Sequence, residues 1–275
     1  MSTISPRRVA TLAALVASAS LLAGCSFLPM PVPTPTPTPT ASGDGVLRIG
    51  DMTPLTGPLS GTAGAQAAGI ELAVREINEA GGVMDSPIEV WHRDAGDGDP
   101  AKTAASFAQL LEKDVDVVIA PASAAVMDVL LPLAQKAGIL VVAPATQATA
   151  PAGARVGAIV PDDDFVAGLR SSDPNLSELS YGAEAYELTT ALALSAEFLN
   201  DDGAVSLSWA LSHVQGPGIT CTSFGACLSV LATEPAIAYR GPAGIFHYDV
   251  ATGTVVFGEI VTVSPTPKTT NSTKK

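Results

Sequence analysis

The sequence predicts an α/β protein with a Rossmann-like parallel sheet. From Val46 to Ala143, short apolar runs alternate with segments whose apolar residues recur at helical spacing. Strands that alternate with helices favour a parallel sheet with right-handed crossovers. The run from Val115 to Ala120 is apolar except for Asp116, as is typical of a parallel strand covered on both faces.

The first predicted unit is a strand, a loop and a helix over residues 46–82. Val46, Leu47 and Ile49 form the strand, and the prolines and glycines of residues 52–61 predict an irregular loop. Gly81-Gly82 ends the helix, and the spacing of Glu71 and Arg75 predicts an ion pair on its wet face. Apolar residues at i, i+3, i+4 and i+7 predict the buried face of this helix: Ile70, Ala73, Val74 and Ile77.

Three further strands and two further helices follow. We expect strands at Pro87–Trp91, Val115–Ala120 and Ile139–Ala143, and a turn at residues 94–100 in which Pro100 opens a helix. The buried side of the helix after this turn is predicted at four positions: Ala104, Phe107, Ala108 and Leu111. The buried side of the next helix is also predicted at four positions: Val126, Val129, Leu130 and Leu133.

Residues 1–24 are predicted to be a targeting segment. Arg7 and Arg8 precede an apolar run that is short for a membrane span. The run ends L-L-A-G-C-S, which resembles a bacterial lipobox and implies cleavage before Cys25 and lipid on its sulfur; an ordinary secretory signal with an incidental cysteine is the alternative. Residues 25–45 are rich in alternating Pro and Thr, so we expect an extended tether in which only a few residues pack on the domain.

After Thr149 the alternation fails until residue 179. We then expect a helix from Tyr181 to Leu199, another from Ala204 to Val214, and two or three strands between Ile237 and Val263. Cys221 and Cys227 are six positions apart in a chain predicted to be exported, which favours a local disulfide over a metal site without further ligands nearby. Residues 264–275 form a polar tail that we expect to be disordered.

The segment P-L-T-G-P-L-S-G, followed by a helix with G-I-E-L-A-V-R-E-I-N-E-A-G-G, resembles type I periplasmic binding proteins of the branched-chain amino acid type. These solute-binding proteins serve ATP-binding-cassette importers and close two lobes on a ligand. The resemblance implies that residues 46–149 and 179–263 form the first lobe. Residues 150–178 would be a remnant of a second lobe, because they are far fewer than the roughly 100 residues of an ordinary domain.

Three loops at the carboxyl ends of the strands are the predicted ligand site: residues 52–61, 121–124 and 144–149. In the second loop, Ser123 stands at a helix start, where its hydroxyl and the free amides suit a carboxylate; the alternative is that Ser123 only caps the helix. Ala145 stands where the family commonly has a hydroxyl residue. The candidate ligand residues are Leu55, Thr56, Gly57, Pro58, Leu59, Ala122, Ser123, Ala145, Thr146 and Gln147.

Composition and motifs argue against other functions. The formal charge of −13, which becomes −15 without residues 1–24, makes nucleic-acid binding unfavourable. There is no hydrolase, zinc-protease or dinucleotide motif, so we expect no enzyme activity, cofactor or metal. His92, His213 and His247 are isolated along the sequence and suggest structural roles, and Asp162–Asp164 suggests a solvated turn. Trp91 and Trp209 are expected to be packing residues.

Together with the predicted lipid anchor, the family resemblance implies a lipid-anchored solute-binding protein on the outer face of the cell membrane. It would serve an amino-acid-type importer and contact its permease, but bind its amino-acid-like ligand weakly because half of the cleft is missing. A homodimer could rebuild that cleft. The alternative is a surface lipoprotein outside transport, which binds a protein partner or acts as a sensor.

Overall fold

The computed structural model describes residues 38–146, 150, 156, 159 and 161–258. The strands are β1 (Arg48–Thr53), β2 (Glu89–Asp94), β3 (Val117–Ile119), β4 (Leu140–Pro144), β5 (Ile219–Cys221), β6 (Ile237–Tyr239), β7 (Phe246–Asp249) and β8 (Thr254–Phe257). The helices are α1 (Ala63–Glu79), α2 (Pro100–Leu111), α3 (Ala124–Ala137), α4 (Asp163–Ser172), α5 (Gly182–Leu199), α6 (Ala204–Leu211) and α7 (Phe224–Leu231), and a short 3-10 helix (Ser60–Thr62) precedes α1.

A mainly parallel sheet is the centre of the fold. Its strand order is β2-β1-β3-β4-β8-β7, and only β7, at one edge, runs antiparallel to its neighbour. The predicted α/β class with a Rossmann-like sheet is thus confirmed. β5 and β6 form a separate parallel pair.

Helices cover the sheet on both faces. Val118 and Ala143 point to the side of α2 and α3, whereas Val117 and Val142 belong to the larger core formed with α1 and α5. This alternation follows from the two-residue period of a strand, which sends successive side chains to opposite faces. Both faces are therefore buried, as the continuous apolar runs predict.

Helix α1 matches its predicted buried face closely. Ile70, Ala73 and Ile77 are fully buried, and Val74 is half-buried. The predicted pair of Glu71 and Arg75 is wrong: Glu71 contacts His92 and Arg75 donates to the hydroxyl of Ser171. Both charged residues are therefore used to connect α1 to other elements.

The predicted buried face of α2 is wrong by about one position. Thr103 and Ser106 are buried beside Phe107 and Leu110, whereas the expected Ala108 is exposed. The reason is hydrogen bonding: Thr103 donates to the carbonyl of Ala95 at 2.7 Å, and Ser106 donates to that of Asp94 at 2.6 Å. These hydroxyls satisfy carbonyls of the loop after β2, so two polar residues face inward.

Two helix starts fit their local sequence. Asp99 caps α2 by accepting from two backbone amides, with Pro100 in the first turn. Asp162 caps α4 in the same way by accepting from the Phe165 amide at 2.8 Å, so the residues expected to form a solvated turn instead begin a helix. This helix packs on α1, and its Leu169 is completely buried in the larger core.

Between the end of β4 at Pro144 and the start of α5 at Gly182, the described residues contain α4 as their one helix. Helix α5 then returns across the sheet. Leu188, Ala191, Leu192 and Ser195 are buried, and so is nearly all the rest of its surface up to Ala196, because α1, α6 and α7 pack around it.

The end of the predicted tether is tied to the domain by two acidic residues. Asp201 accepts from the backbone amides of Ser42 and Gly43, at 3.0 and 2.7 Å, and Asp202 accepts from those of Gly45 and Val46, both at 3.1 Å. The chain is therefore held against the loop after α5 before it enters β1. Residues 1–37, including Cys25, lie outside the described residues.

The carboxyl-terminal strands and the disulfide agree with the predictions from the sequence. Strands β6, β7 and β8 account for the strands expected between Ile237 and Val263, and residues 259–275 lie outside the description. Cys221 is bonded to Cys227, which confirms the predicted disulfide. No helix in the described ranges has the length and hydropathy needed to cross a bilayer.

Candidate ligand-binding site

The predicted site lies where the parallel strands end. Residues Thr53, Asp94, Ile119, Pro144 and Phe257 close β1, β2, β3, β4 and β8, and these ends share one edge of the sheet. Ligands of open α/β sheets bind at this edge. We call it the carboxyl edge.

The loop after β1 is held by the turn after β2. The amide of Leu59 donates to Oδ2 of Asp97 at 3.4 Å. Gly57, at φ +90°, packs so closely on Asp97 that a Cβ there would lie 2.0 Å from the Asp97 carbonyl oxygen. Leu55 is 59% exposed, and the neighbouring Pro58 is exposed as well. The loop is therefore fixed at its base and open to solvent at its tip.

Thr56 is bound to the same turn through Asp94. Its hydroxyl donates to both carboxylate oxygens of Asp94 at 3.2 Å, and the Lys102 ammonium forms an ion pair with Asp94. Burial acts to raise the pKa of Asp94, but Lys102 and hydrogen bonds from Gly96 and Thr56 outweigh it and lower that pKa. The Thr56 hydroxyl therefore has its proton engaged and can offer a ligand only an acceptor.

The Ser123 hydroxyl makes two hydrogen bonds within the protein. Its Oγ donates to Oδ1 of Asp97 at 2.5 Å and accepts from the Val126 amide at 3.3 Å, so it caps α3. The helix-cap alternative is thus observed. The side chain is largely buried, at 9% exposed. A carboxylate at this helix start would meet the backbone amides and the nearby negative Asp97 rather than a free hydroxyl.

The third loop lies beside β8. The Ala145 amide donates to the Val255 carbonyl at 2.8 Å, and the Ala145 side chain is 3% exposed against Val256. Thr146 is half-buried. Gln147 lies outside the described residues, so its ligand contact stays a prediction.

The carboxyl edge holds two cavities on either side of Pro144. One, of about 210 Å³, is lined by Ala122 and Ser123 on the α3 side. The other, of about 450 Å³, is lined by Ala145 and by the start of α5. The first two predicted loops thus meet through Asp97, while the third contributes to a separate, larger cavity.

Asp97 is the site residue that sequence reasoning missed. It is 7% exposed and joins the loop after β1 to the start of α3. In the sequence it belongs to D-A-G-D-G-D-P, whose glycines and proline indicate only a turn. The sequence signal that could have identified Asp97 is its position soon after a strand that ends at the carboxyl edge.

Replacing Asp97 by alanine is expected to lower the free energy of unfolding by about 2 kcal/mol. The change removes a charged acceptor from the Ser123 hydroxyl and the Leu59 amide, and hydrogen bonds to charged groups contribute about 1.5–3 kcal/mol. Asp97→Asn keeps an acceptor and should lose clearly less. Urea unfolding of both variants checks this, and equal losses would contradict the role given to the carboxylate.

A second polar cluster fixes β1, β2 and α1 beneath the loop. Asp51 is completely buried and accepts from Nε2 of Gln66 at 2.7 Å and from the Thr53 hydroxyl at 2.5 Å. His92 lies opposite Asp51 in the register of β1 and β2. Its Nδ1 is 2.7 Å from Asp51, and its Nε2 is 2.7 Å from Glu71 of α1.

His92 is therefore central to a charged bridge rather than isolated. The hydrogen bond to Asp51 raises the pKa of His92 to about 9, although burial opposes this, and Glu71 adds to the increase. At neutral pH the imidazole is protonated, so both ring nitrogens donate. Its role in the fold is to connect two strands to a helix, in keeping with the structural role expected for it.

The other histidines and the tryptophans have local contacts. His213 stacks on Trp209 with ring centroids 3.6 Å apart, and the Lys113 ammonium lies 4.4 Å from the ring centroid of Trp91. His247 is exposed on β7. Within the described ranges, no group of three or more His, Cys, Asp or Glu side chains is arranged to hold a metal ion.

Comparison with known proteins identifies a family resemblance over the part of the chain that contains the predicted ligand loops. Residues 46–165 match the family model described as periplasmic binding protein. This stretch contains β1–β4, α1–α3 and all three predicted loops, and it confirms the resemblance recognised from the sequence. No curated protein matches the chain.

Solved structures give partial matches. The branched-chain amino acid transporter substrate binding protein LivJ from Streptococcus pneumoniae, solved with isoleucine, has 31% identity over 36% of this chain and 29% of its own, with a TM-score of 0.34. The leucine binding protein LivK from Thermotoga maritima has 23% identity over 36% of this chain and 28% of its own, with a TM-score of 0.32. This chain thus spans less than a third of either relative.

A third structure covers more of both chains but is more distant in sequence. It is a fatty acid ABC transporter substrate-binding protein from Thermomonospora curvata, with 14% identity, a TM-score of 0.40, and coverage of 83% of this chain and 95% of its own.

Proposed function

We propose that this protein is an extracytoplasmic solute-binding protein of an ATP-binding-cassette importer of the amino-acid type. The observation that carries this proposal is the family match over residues 46–165, which includes the strand ends and loops of the carboxyl edge. Open α/β sheets bind ligands at this edge. We propose a binding function rather than an enzymatic one, because the side chains along the edge hold one another in place.

Weak binding of an amino acid is part of the proposal. The hydroxyl protons of Thr56 and Ser123 are engaged by Asp94 and Asp97, and the tip of the first loop is exposed. Residues 150–178 would have to supply the opposing wall, and their described helix α4 packs on α1 instead. A ligand held on one side stays in contact with water, where each hydrogen bond gains little.

The test is a thermal-shift measurement on the full chain with amino acids, aromatic acids, fatty acids and amines. A rise in the unfolding temperature with any of these solutes would support solute binding, because a ligand stabilises the folded state that binds it. If millimolar concentrations of every compound leave the unfolding temperature unchanged, the proposed function is wrong. A homodimer that rebuilds the cleft would make the shift depend on protein concentration.

We also propose that Cys25 carries the lipid that anchors the protein. Two acyl chains give stable attachment, whereas one gives only marginal binding. Cys25→Ala is expected to move most of the protein from the membrane fraction to the soluble fraction. Ser26→Ala, which leaves the cysteine in place, is the control. If the Cys25→Ala protein remains with the membrane like the control, the anchor is not at this residue.

A surface role outside transport is the second candidate. The first loop exposes Leu55, at 59%, on a part of the molecule that a second lobe would cover in the two-lobed family. Such a residue suits contact with a protein partner or with the permease. If this alternative holds, Leu55→Ser would weaken capture of a protein partner, and solute uptake by the cell would not depend on this protein.

A further inference from the structure

The larger cavity of the carboxyl edge has the properties of a small-molecule site. Its volume is about 450 Å³, within the range of roughly 300–1,000 Å³ that is typical of ligand pockets. Most of its lining is apolar and includes Ala145, Val156, Ile159, Leu179 and Phe257. Phe257 and Ala145 place it at the ends of β8 and β4, so it opens where ligands of parallel sheets bind.

Glu184 gives this apolar cavity a negative charge. It stands in the first turn of α5 and is half-buried in the lining. Burial raises its pKa, and a hydrogen bond with its own backbone amide opposes this. Across the described part of the chain, Glu184 forms no ion pair. A carboxylate in such surroundings is stabilised by a cation that enters the cavity.

Tyr181 is held at the wall of the same cavity. It precedes α5 with φ at 68°, a backbone conformation that is costly for a bulky residue. Burial and the charge of Glu184 raise the pKa of its phenol, so the phenol stays neutral. Its aromatic ring adds to a wall that suits an apolar or cationic group.

The other charged residue among the described lining residues is also acidic. Glu178 lines the cavity and accepts from the amides of Leu179 and Ser180, both at 2.9 Å. Among the lining residues that the structure describes there is no Lys, Arg or His. A carboxylate-bearing ligand would meet two like charges from these described residues, whereas an amine would meet complementary charge.

We propose that this cavity binds a small organic amine, with the ammonium group at Glu184 and the apolar body against Phe257, Leu179 and Ile159. The inference rests on the proposed solute-binding function and assigns it a ligand class. Zwitterionic amino acids fit less well, because their carboxylate would lie near Glu184 and Glu178. Neutral compounds of the same shape keep the apolar contacts but lose the charge-assisted hydrogen bond.

The test is calorimetric titration of the full chain with three compounds of matched shape: 2-phenylethylamine, 2-phenylethanol and 3-phenylpropionate. We expect the amine to bind at least about tenfold more tightly than the alcohol and the acid, because a charge-assisted hydrogen bond is roughly twice as strong as a neutral one. Glu184→Gln should weaken amine binding by about tenfold to a hundredfold and leave alcohol binding unchanged. Glu234→Gln, at an exposed residue outside the cavity, is the matched control.

The wild-type comparison alone can overturn the inference, even if Glu184→Gln does not fold. Amine binding no tighter than that of the alcohol, or amine binding that Glu184→Gln leaves intact, would show that the ammonium is not held at Glu184. Binding of amino acids or organic acids without amine binding would overturn this inference and leave the proposed function standing. If no solute binds at all, both fail.

Discussion

Replacing His92 by alanine is expected to lower the free energy of unfolding by about 3 kcal/mol at pH 7. The substitution leaves the completely buried Asp51 carboxylate without its cationic partner, and removal of one member of a buried ion pair costs about 3–5 kcal/mol. We expect the lower end of that range because the His92 side chain is 35% exposed. His247→Ala, on the exposed side of another strand, should change stability by less than about 0.5 kcal/mol.

The same bridge predicts a pH dependence. The pKa of His92 is raised from 6.5 to about 9 in the folded protein, so the folded state binds the proton more tightly than the unfolded state. The contribution to stability is fully present below pH 6.5 and is lost as the pH rises through about 9. With partial solvent screening, we expect a loss of about 2 kcal/mol across this window.

Urea unfolding from pH 6 to pH 10 measures this loss. His92→Gln removes the titrating group and should flatten the curve above pH 7, while His247→Gln should follow the wild type. A wild-type stability that does not fall between pH 7 and pH 10, or a fall of the same size in His92→Gln, would contradict the imidazolium bridge.

Replacing Gly69 by alanine is expected to cost about 3 kcal/mol. Gly69 lies where α1 meets the start of α5, and an added Cβ would lie 2.1 Å from the carbonyl oxygen of Gly182 and 3.1 Å from the amide nitrogen of Tyr186. Both neighbours are backbone atoms, so the helices would have to move apart. Overpacking in a close-packed core typically costs 1–3 kcal/mol and occasionally more.

Gly64→Ala in the same helix is the matched control. An added Cβ there would lie 3.2 Å from the tip of the Leu176 side chain, which can move, and the position is exposed. The higher helix propensity of alanine should make this variant equal to the wild type or more stable by up to about 1 kcal/mol. Equal destabilisation of both variants in urea unfolding would show that the contact of α1 and α5 is not the cause.

The elements that the sequence predicted well are those whose apolar spacing decided their burial. In α1, Ile70 and Ile77 are buried as expected because one face of this helix meets the core. In helix α5, apolar spacing does not predict which residues are buried, because other helices pack on several sides and bury almost its whole surface. A helix that is buried all round has no distinct wet face from which its buried side could be recognised.

The candidate site was predicted less completely because long-range hydrogen bonds define it. Asp97 is 26 positions from Ser123 in the chain, yet their side chains are 2.5 Å apart. The inward Thr103 and Ser106 of α2 depend likewise on carbonyls of a neighbouring loop. Residue types and spacing indicate which groups lie near the carboxyl edge. Only the folded structure shows which hydroxyl is hydrogen-bonded within the protein and which is available to a ligand.

In the solute-binding function that we propose, the carboxyl edge would provide one half of an amino-acid cleft. Loss of two or three hydrogen bonds of about 1 kcal/mol each corresponds to roughly a hundredfold in affinity, since tenfold is about 1.4 kcal/mol. Two copies that face each other could restore those contacts, in which case the affinity would rise with protein concentration.

Calorimetric titration of the dilute, monomeric full chain with leucine and isoleucine tests the half-cleft proposal most directly. We expect no heat of binding, or dissociation constants in the millimolar range, because the ligand would be held from one side only. Micromolar or tighter binding of either amino acid by the monomer would contradict the half-cleft and show that this chain encloses its ligand completely.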